Sequence, residues 1–190
     1  MKKFFTLLLL SSLAGSCVPT FKMFEKDGKL LGVLPLVNGR VLYRETIQTP
    51  ELPKEEVFRR ARRWWVDNYR SAKDVFQLVD KDTGEIVGKG WGNVYTGKGL
   101  SLATHHIFHV ISFDVSEDEY TVTVYGLQIE NDITRQYFKS KNQTSAELPI
   151  ERFNIGTVKY AQAIFTEIDQ ETRLTLKYLN GYIKKQNSTH

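Results

Sequence analysis

The stretch Val75-Phe76-Gln77-Leu78-Val79-Asp80-Lys81-Asp82-Thr83-Gly84-Glu85-Ile86-Val87-Gly88-Lys89-Gly90-Trp91-Gly92-Asn93-Val94-Tyr95 carries the reading of the fold. Val75 to Val79 is a short apolar run of strand type. Asp80 to Gly84 is a turn, with glycine where a positive φ is expected. Glu85 to Tyr95 returns as a second strand and closes a hairpin. Gly88, Gly90 and Gly92 fall at every second position, so one face of that strand is bare. Such a face allows close packing or a bulge.

A second hairpin follows a loop at 96–100. Ala103 to Val115 is rich in β-branched and aromatic residues, Ser116 to Glu119 is a charged turn, and Tyr120 to Ile129 is the partner strand. Upstream, Val41, Tyr43 and Ile47 alternate with more polar positions through Gln48, which predicts a first strand stopped by Pro50 and Pro53. Lys54 to Tyr69 predicts a helix. Pro53 suits its start, Glu55 and Glu56 suit its positive end, and Val57, Phe58, Ala61, Trp65 and Tyr69 form the buried stripe. Residues 130–156 read as polar and irregular. A terminal helix from about Thr157 to Lys185 carries a stripe through Ala161, Ile164, Phe165, Ile168, Thr172, Leu176, Leu179 and Ile183.

The order strand, helix, four strands, helix predicts an α+β domain. Its two helices cover one face of a five-stranded antiparallel sheet. The other face stays open or meets a partner.

This order and certain of its residues resemble a bacterial family of unknown function with a fold like that of the TATA-binding protein (TBP-like). Its members are mostly exported proteins of Bacteroidetes-type bacteria. The resemblance rests on Asn38-Gly39-Arg40-Val41-Leu42-Tyr43, on Ala61-Arg62-Arg63-Trp64-Trp65, on Tyr69-Arg70-Ser71-Ala72-Lys73-Asp74-Val75, on Gln77-Leu78-Val79-Asp80 and on Gly84-Glu85-Ile86-Val87-Gly88-Lys89-Gly90. It spans roughly residues 35–130. These motifs are structural in character, the family brings no catalytic residues to transfer, and the fold name implies no DNA binding because fold does not fix function.

The beginning of the chain addresses compartment. Lys2 and Lys3, the apolar run Phe4 to Leu10 extended to Leu13, and the small residues Ala14, Gly15 and Ser16 make a signal peptide over residues 1–16. Its apolar run is too short to span a membrane as a stable helix. Cys17 follows at once, and Leu13-Ala14-Gly15-Ser16-Cys17 resembles a bacterial lipobox, with Ala14 where the pattern carries Leu. The resemblance implies a diacylglyceryl thioether on Cys17, cleavage before it and acylation of the new amine. The alternative is an ordinary secreted protein with an incidental cysteine. Several acyl chains hold a protein to the bilayer almost permanently, at about 0.8 kcal/mol per buried methylene. Val18 in place of Asp favours the outer membrane, and the lack of an acidic run after Cys17 favours a domain facing the periplasm. The expected organisation is a leader at 1–16, lipidated Cys17 and tether over 17–38, the α+β domain over 39–186, and a fraying tail at 187–190. Within the tether, Leu30-Leu31-Gly32-Val33-Leu34 is apolar enough for part of it to pack.

Composition excludes several classes. The 190 residues are 41% hydrophobic and 25% charged, ordinary globular values for about one domain. One cysteine cannot form a disulfide within its own chain. Lys2 and Lys3 leave with the leader, so the mature side chains carry 24 basic against 22 acidic groups, a balance of +2. That is too small to argue for nucleic acid.

No residue set defines a reaction. His105 and His109 would share a face on a helix and could bind zinc there, but their neighbours favour a strand, where they stand about 13 Å apart with His106 on the opposite side. Arg59, Arg60, Arg62 and Arg63 read as a solvated helix face; the sharper reading is contact with anionic lipid headgroups or glycan phosphates. Gly84 to Gly90 lacks the spacing and the strand–turn–helix setting of a phosphate loop. Glu117, Asp118 and Glu119 crowd one exposed turn with nothing to raise a pKa. No Gly-x-Ser-x-Gly elbow occurs. No metal or cofactor is implied.

The open sheet face is the remaining candidate. If Ile107 and Ile111 point to the helices, His106 and Phe108 point away, and Lys89, Trp91, Thr121, Thr123 and Tyr125 share their side. An aromatic-bearing open sheet can take a ligand or a partner, unless the 130–156 segment folds over it. The expected function is a non-catalytic binding or assembly module. Its partners would be the membrane, through the lipid on Cys17, and an envelope protein or a second copy. An envelope hydrolase with an unrecognised site is the alternative.

Overall fold

The computed structural model describes residues 22–69, 75–143 and 147–185. The leader, Cys17 and the 187–190 tail lie outside the described residues. The described strands are β1 (Glu25–Lys26), β2 (Lys29–Leu30), β3 (Leu34–Val37), β4 (Arg40–Gln48), β5 (Phe76–Asp80), β6 (Glu85–Thr96), β7 (Ala103–Val115), β8 (Glu119–Glu130) and β9 (Leu148–Pro149). The helices are α1 (Lys54–Asn68), α2 (Asp132–Ser140) and α3 (Val158–Lys184).

All pairings are antiparallel, in the order β1-β2-β3-β4-β8-β7-β6-β5, with β9 added to β8. The central five strands are the predicted ones. The expectation of five strands and two helices is corrected in two places. Residues 25–37 form a tight meander, β1 to β3, on the edge of β4. Its turns use Asp27, Gly28, Leu31 and Gly32 at positive φ, a geometry that leaves no run long enough to show a period. The packed domain therefore reaches back into the stretch read as tether, and Leu30, Leu31 and Leu34 are buried. The segment read as irregular holds α2, β9 and a short 3-10 turn. Asn131 starts α2 as its N-cap, its side chain accepting from Thr134 N while the Thr134 hydroxyl accepts from Asn131 N.

The core lies between the sheet and helices α1 and α3. α1 buries Val57, Phe58, Ala61, Trp64 and Trp65, and α3 buries Ala161, Ile164, Phe165, Ile168, Leu176, Leu179 and Ile183. Thr172, placed in the stripe, is only half-buried. At the core's margin α3 is fixed by polar contacts. Tyr43 Oη donates to Asp169 at 2.9 Å, Tyr120 Oη donates to Asn180 Oδ1 at 2.8 Å, and Asn180 Nδ2 donates to Glu45 at 2.7 Å. No described helix is long and apolar enough to cross a membrane.

Candidate functional site

Side chains alternate across each central strand, so register decides which residues share a face. Ile86, Val94, Ile107, Ile111, Phe113, Tyr120, Val122 and Val124 are buried toward the helices. Their sequence neighbours point to the helix-free side. Cross-strand partners there are Lys89, Val110, Tyr125 and Leu42 in one row and Trp91, Phe108 and Gln128 in the next. Ser112, Thr123 and Arg44 form a third row, and Asp114, Thr121 and Thr46 a fourth. Asn93, His106 and Glu130 make a fifth. Lys89, Trp91, His106, Phe108, Thr121, Thr123 and Tyr125 are thus brought onto one face.

Trp91, Tyr95 and Tyr125 expose 55%, 50% and 36% of their surface, far more than a core ring. The Lys89 ammonium stands 5.8 Å from the Phe108 ring centroid, at the outer reach of a cation–π contact. Trp91 and His106 meet edge to face at 5.8 Å. His106 Nδ1 lies 2.7 Å from Asn93 Oδ1. Because that oxygen accepts, Nδ1 is the donor of this contact. Thr46 and Thr121 hydroxyls pair at 2.8 Å, and Arg44 Nε donates to Thr123 Oγ1 at 3.3 Å, which leaves Thr123 covered rather than exposed.

Much of the 130–156 segment packs on the helix side. Ile150, Phe153 and Ile155 are buried in the core, and Phe153 packs near Tyr160 and Phe165 of α3. Its β9 end still borders the open face: Pro149 pairs with Gln128 there, and Glu147 stands 4.0 Å from Lys89.

Two features of this face have weaker sequence signals. Gly126, at φ +62, sits where β8 is out of register with β7 between Phe108 and Val110. It inverts the alternation, so that Leu127 and Ile129 go to the core and Gln128 and Glu130 to the open side. A lone glycine inside a strand pattern is the available signal. Leu42 and Arg44 join through the pairing of β4 with β8, which only register reveals.

His105 and His109 lie on the helix side, where burial pushes both down to about 4 and keeps them neutral near pH 7. His105 Nε2 is 2.8 Å from Thr96 Oγ1 and its Nδ1 is 3.0 Å from Asn131 Nδ2, so it ties β6 to the cap of α2. His109 Nε2 is 2.8 Å from Tyr69 Oη. Among the described residues no three His, Cys, Asp or Glu side chains converge to hold a metal. The arginine run is largely occupied by its own helix. Arg59 and Arg60 bond Glu56, Arg63 bonds Asp67, and Arg60 also donates to the Ile183 and Lys185 carbonyls at 2.7 and 2.8 Å, closing the end of α3.

A sheet covered by helices on one side and bearing rings on the other defines an α+β protein of TBP-like architecture. Residues 43–130 match the family model described as a domain of unknown function (DUF4468) with TBP-like fold. A DUF4468 family protein from Bacteroides ovatus ATCC 8483 superimposes with a TM-score of 0.64 at 14% identity, over 87% of this chain and 100% of that one. A TBP-like protein from Parabacteroides distasonis ATCC 8503 does so with a TM-score of 0.61 at 12% identity, over 81% and 99%. At such identities the likeness establishes the fold. No curated protein matches the chain.

Proposed function

We propose that this chain is a lipid-anchored protein of the cell envelope, held by acyl chains on Cys17 at the outer membrane with its domain facing the periplasm. Its role is binding without catalysis: the helix-free face takes an envelope protein or a second copy of the chain. The observation that carries this reading is the exposure of Trp91 and Tyr125 beside Phe108 and Lys89, on a face that nothing in the fold requires to be aromatic. Exposed contiguous rings with a polar rim are the composition of an interface core. The anchor is supported by the leader and by the position of Cys17 directly after it.

Two measurements test the two halves separately. Cys17→Ser should abolish labelling by a palmitate analogue and leave an uncleaved or unanchored chain; persistent label refutes the anchor. A photocrosslinking residue at Tyr125 should capture a discrete adduct in cells, lost on Trp91→Ala. No adduct at Tyr125 or Lys89, together with a monomeric purified protein, refutes the binding face.

A further inference from the structure

The helix side of β6 presents three glycines in succession, and two of them are covered by rings. A Cβ on Gly88 would stand 2.6 Å from the Trp65 ring, and one on Gly90 would stand 2.3 Å from the Tyr69 ring. The two rings lie on bare backbone and on each other, with centroids 4.6 Å apart. A Cβ on Gly92 would meet nothing within 4 Å. α1 ends at Asn68, so it supplies no third ring. The next stretch of bare backbone is therefore open, and a pocket of about 110 Å³ lies over it, beneath α3.

The pocket has a direction. Ile107, Ile111 and Ile168 make its interior apolar, and the edge of His109 borders it. Glu171 is its charged lining residue and is itself exposed, with Thr172 beside it, so the polar end is the solvent end. An apolar cavity of about 150 Å³ accepts benzene. A pocket somewhat smaller but open on one side suits one ring whose substituent projects outward.

We propose that this pocket is a binding slot for a small single-ring cation, its ring lying flat on the Gly92 backbone next to Tyr69 and its positive group facing Glu171. The shape selects the ring, since the two neighbouring positions of the same ladder are each filled by one. Glu171 selects the charge. The slot opens on the helix side of the sheet, so it is independent of the helix-free face and of the anchor.

Benzylamine and phenylacetate, which carry opposite charges on the same ring, are the probes. They are titrated against the full chain with isoleucine and valine methyls labelled for NMR. Benzylamine should bind with a Kd on the order of a millimolar, as its few heavy atoms allow. It should show ring contacts to the Ile107, Ile111 and Ile168 methyls, and phenylacetate should bind several-fold more weakly. Gly92→Val, which fills the slot, should weaken benzylamine at least ten-fold, and Glu171→Gln should erase the preference between the probes. Methyl contacts elsewhere, or affinity unchanged in Gly92→Val, overturn the slot. A preference that survives Glu171→Gln overturns the assignment of charge. Should Gly92→Val not fold, the wild-type methyl contacts decide alone: their presence supports the slot and their absence refutes it.

Discussion

Trp65 and Trp91 lie on opposite sides of the same five strands. Trp65 is fully buried, close against Gly88 and edge to face with Trp64 and Phe76, whereas Trp91 stands 55% exposed beside His106. On the covered face every large side chain has a neighbour that explains it: glycines make room for rings, and helix stripes meet strand residues. On the other face the rings lack that explanation. Burying a tryptophan stabilises a fold, while exposing one gains little. The fold thus accounts for Trp65, whereas only the proposed binding role would account for Trp91.

Trp65→Ala breaks the covered side most severely. It leaves a ring-sized hole over Gly88 and should cost about 3–5 kcal/mol of unfolding free energy in urea titrations. A loss under 1 kcal/mol would mean that the helix can settle onto the bare strand and that the ladder is not a packing device.

Acid attacks the same face next. His105 and His109 have native pKa values near 4 against an ordinary 6.5, so the unfolded chain binds more protons between those values. Their contribution is complete above about pH 6.5 and is lost as pH falls toward 4. Lowering the pH from 7 to 5.5 should remove about 2–3 kcal/mol for the two together. Carboxylates held low, such as Glu56, which hydrogen bonds from Arg59 and then Arg60 bring to about 2, act only below this window. Urea midpoints unchanged between pH 7 and 5.5 would contradict the buried, neutral state of both rings.

How far this arrangement could be read beforehand depended on period. α1 and the two long hairpins were legible because apolar spacing and turn chemistry agree over 10 or more residues. The seven residues of the open face followed from alternation alone. The meander at 25–37 was not legible, since strands of two residues joined by left-handed turns contain no repeat. α2 is a nine-residue helix with one fully buried residue, Thr134, and an apolar stripe of only Ile133 and Tyr137, too short to show a period; its signal was the Asn131 cap. Leu127 and Ile129 read as core only once Gly126 is recognised as a bulge.

Along β6 the glycines sharpen the contrast between filled and empty backbone. Gly90→Ala drives a methyl into the Tyr69 ring and should cost about 1–3 kcal/mol. Gly92→Ala meets nothing within 4 Å and lies outside the left-handed region, so it should be neutral or stabilise by up to about 1 kcal/mol through the unfolded state. Equal costs at the two positions would show that both depend on backbone freedom rather than on the rings above them.

The smallest expected effect separates fold from function. Trp91→Ala on the helix-free face should change unfolding free energy by less than about 0.5 kcal/mol, because it removes an exposed ring with one edge-to-face neighbour. A loss above 1 kcal/mol would place Trp91 among the structural residues, through His106 and the Lys89–Phe108 contact, and would remove the reason for reading this face as an interface. If stability holds while the Tyr125 adduct disappears, the ring serves something outside the chain. Thr123→Val makes the control. It lies on the same face but is covered by Arg44, so its change should move stability through the lost Arg44 hydrogen bond and leave capture intact. The two variants then move opposite quantities, which a face that merely tolerates mutation would not produce.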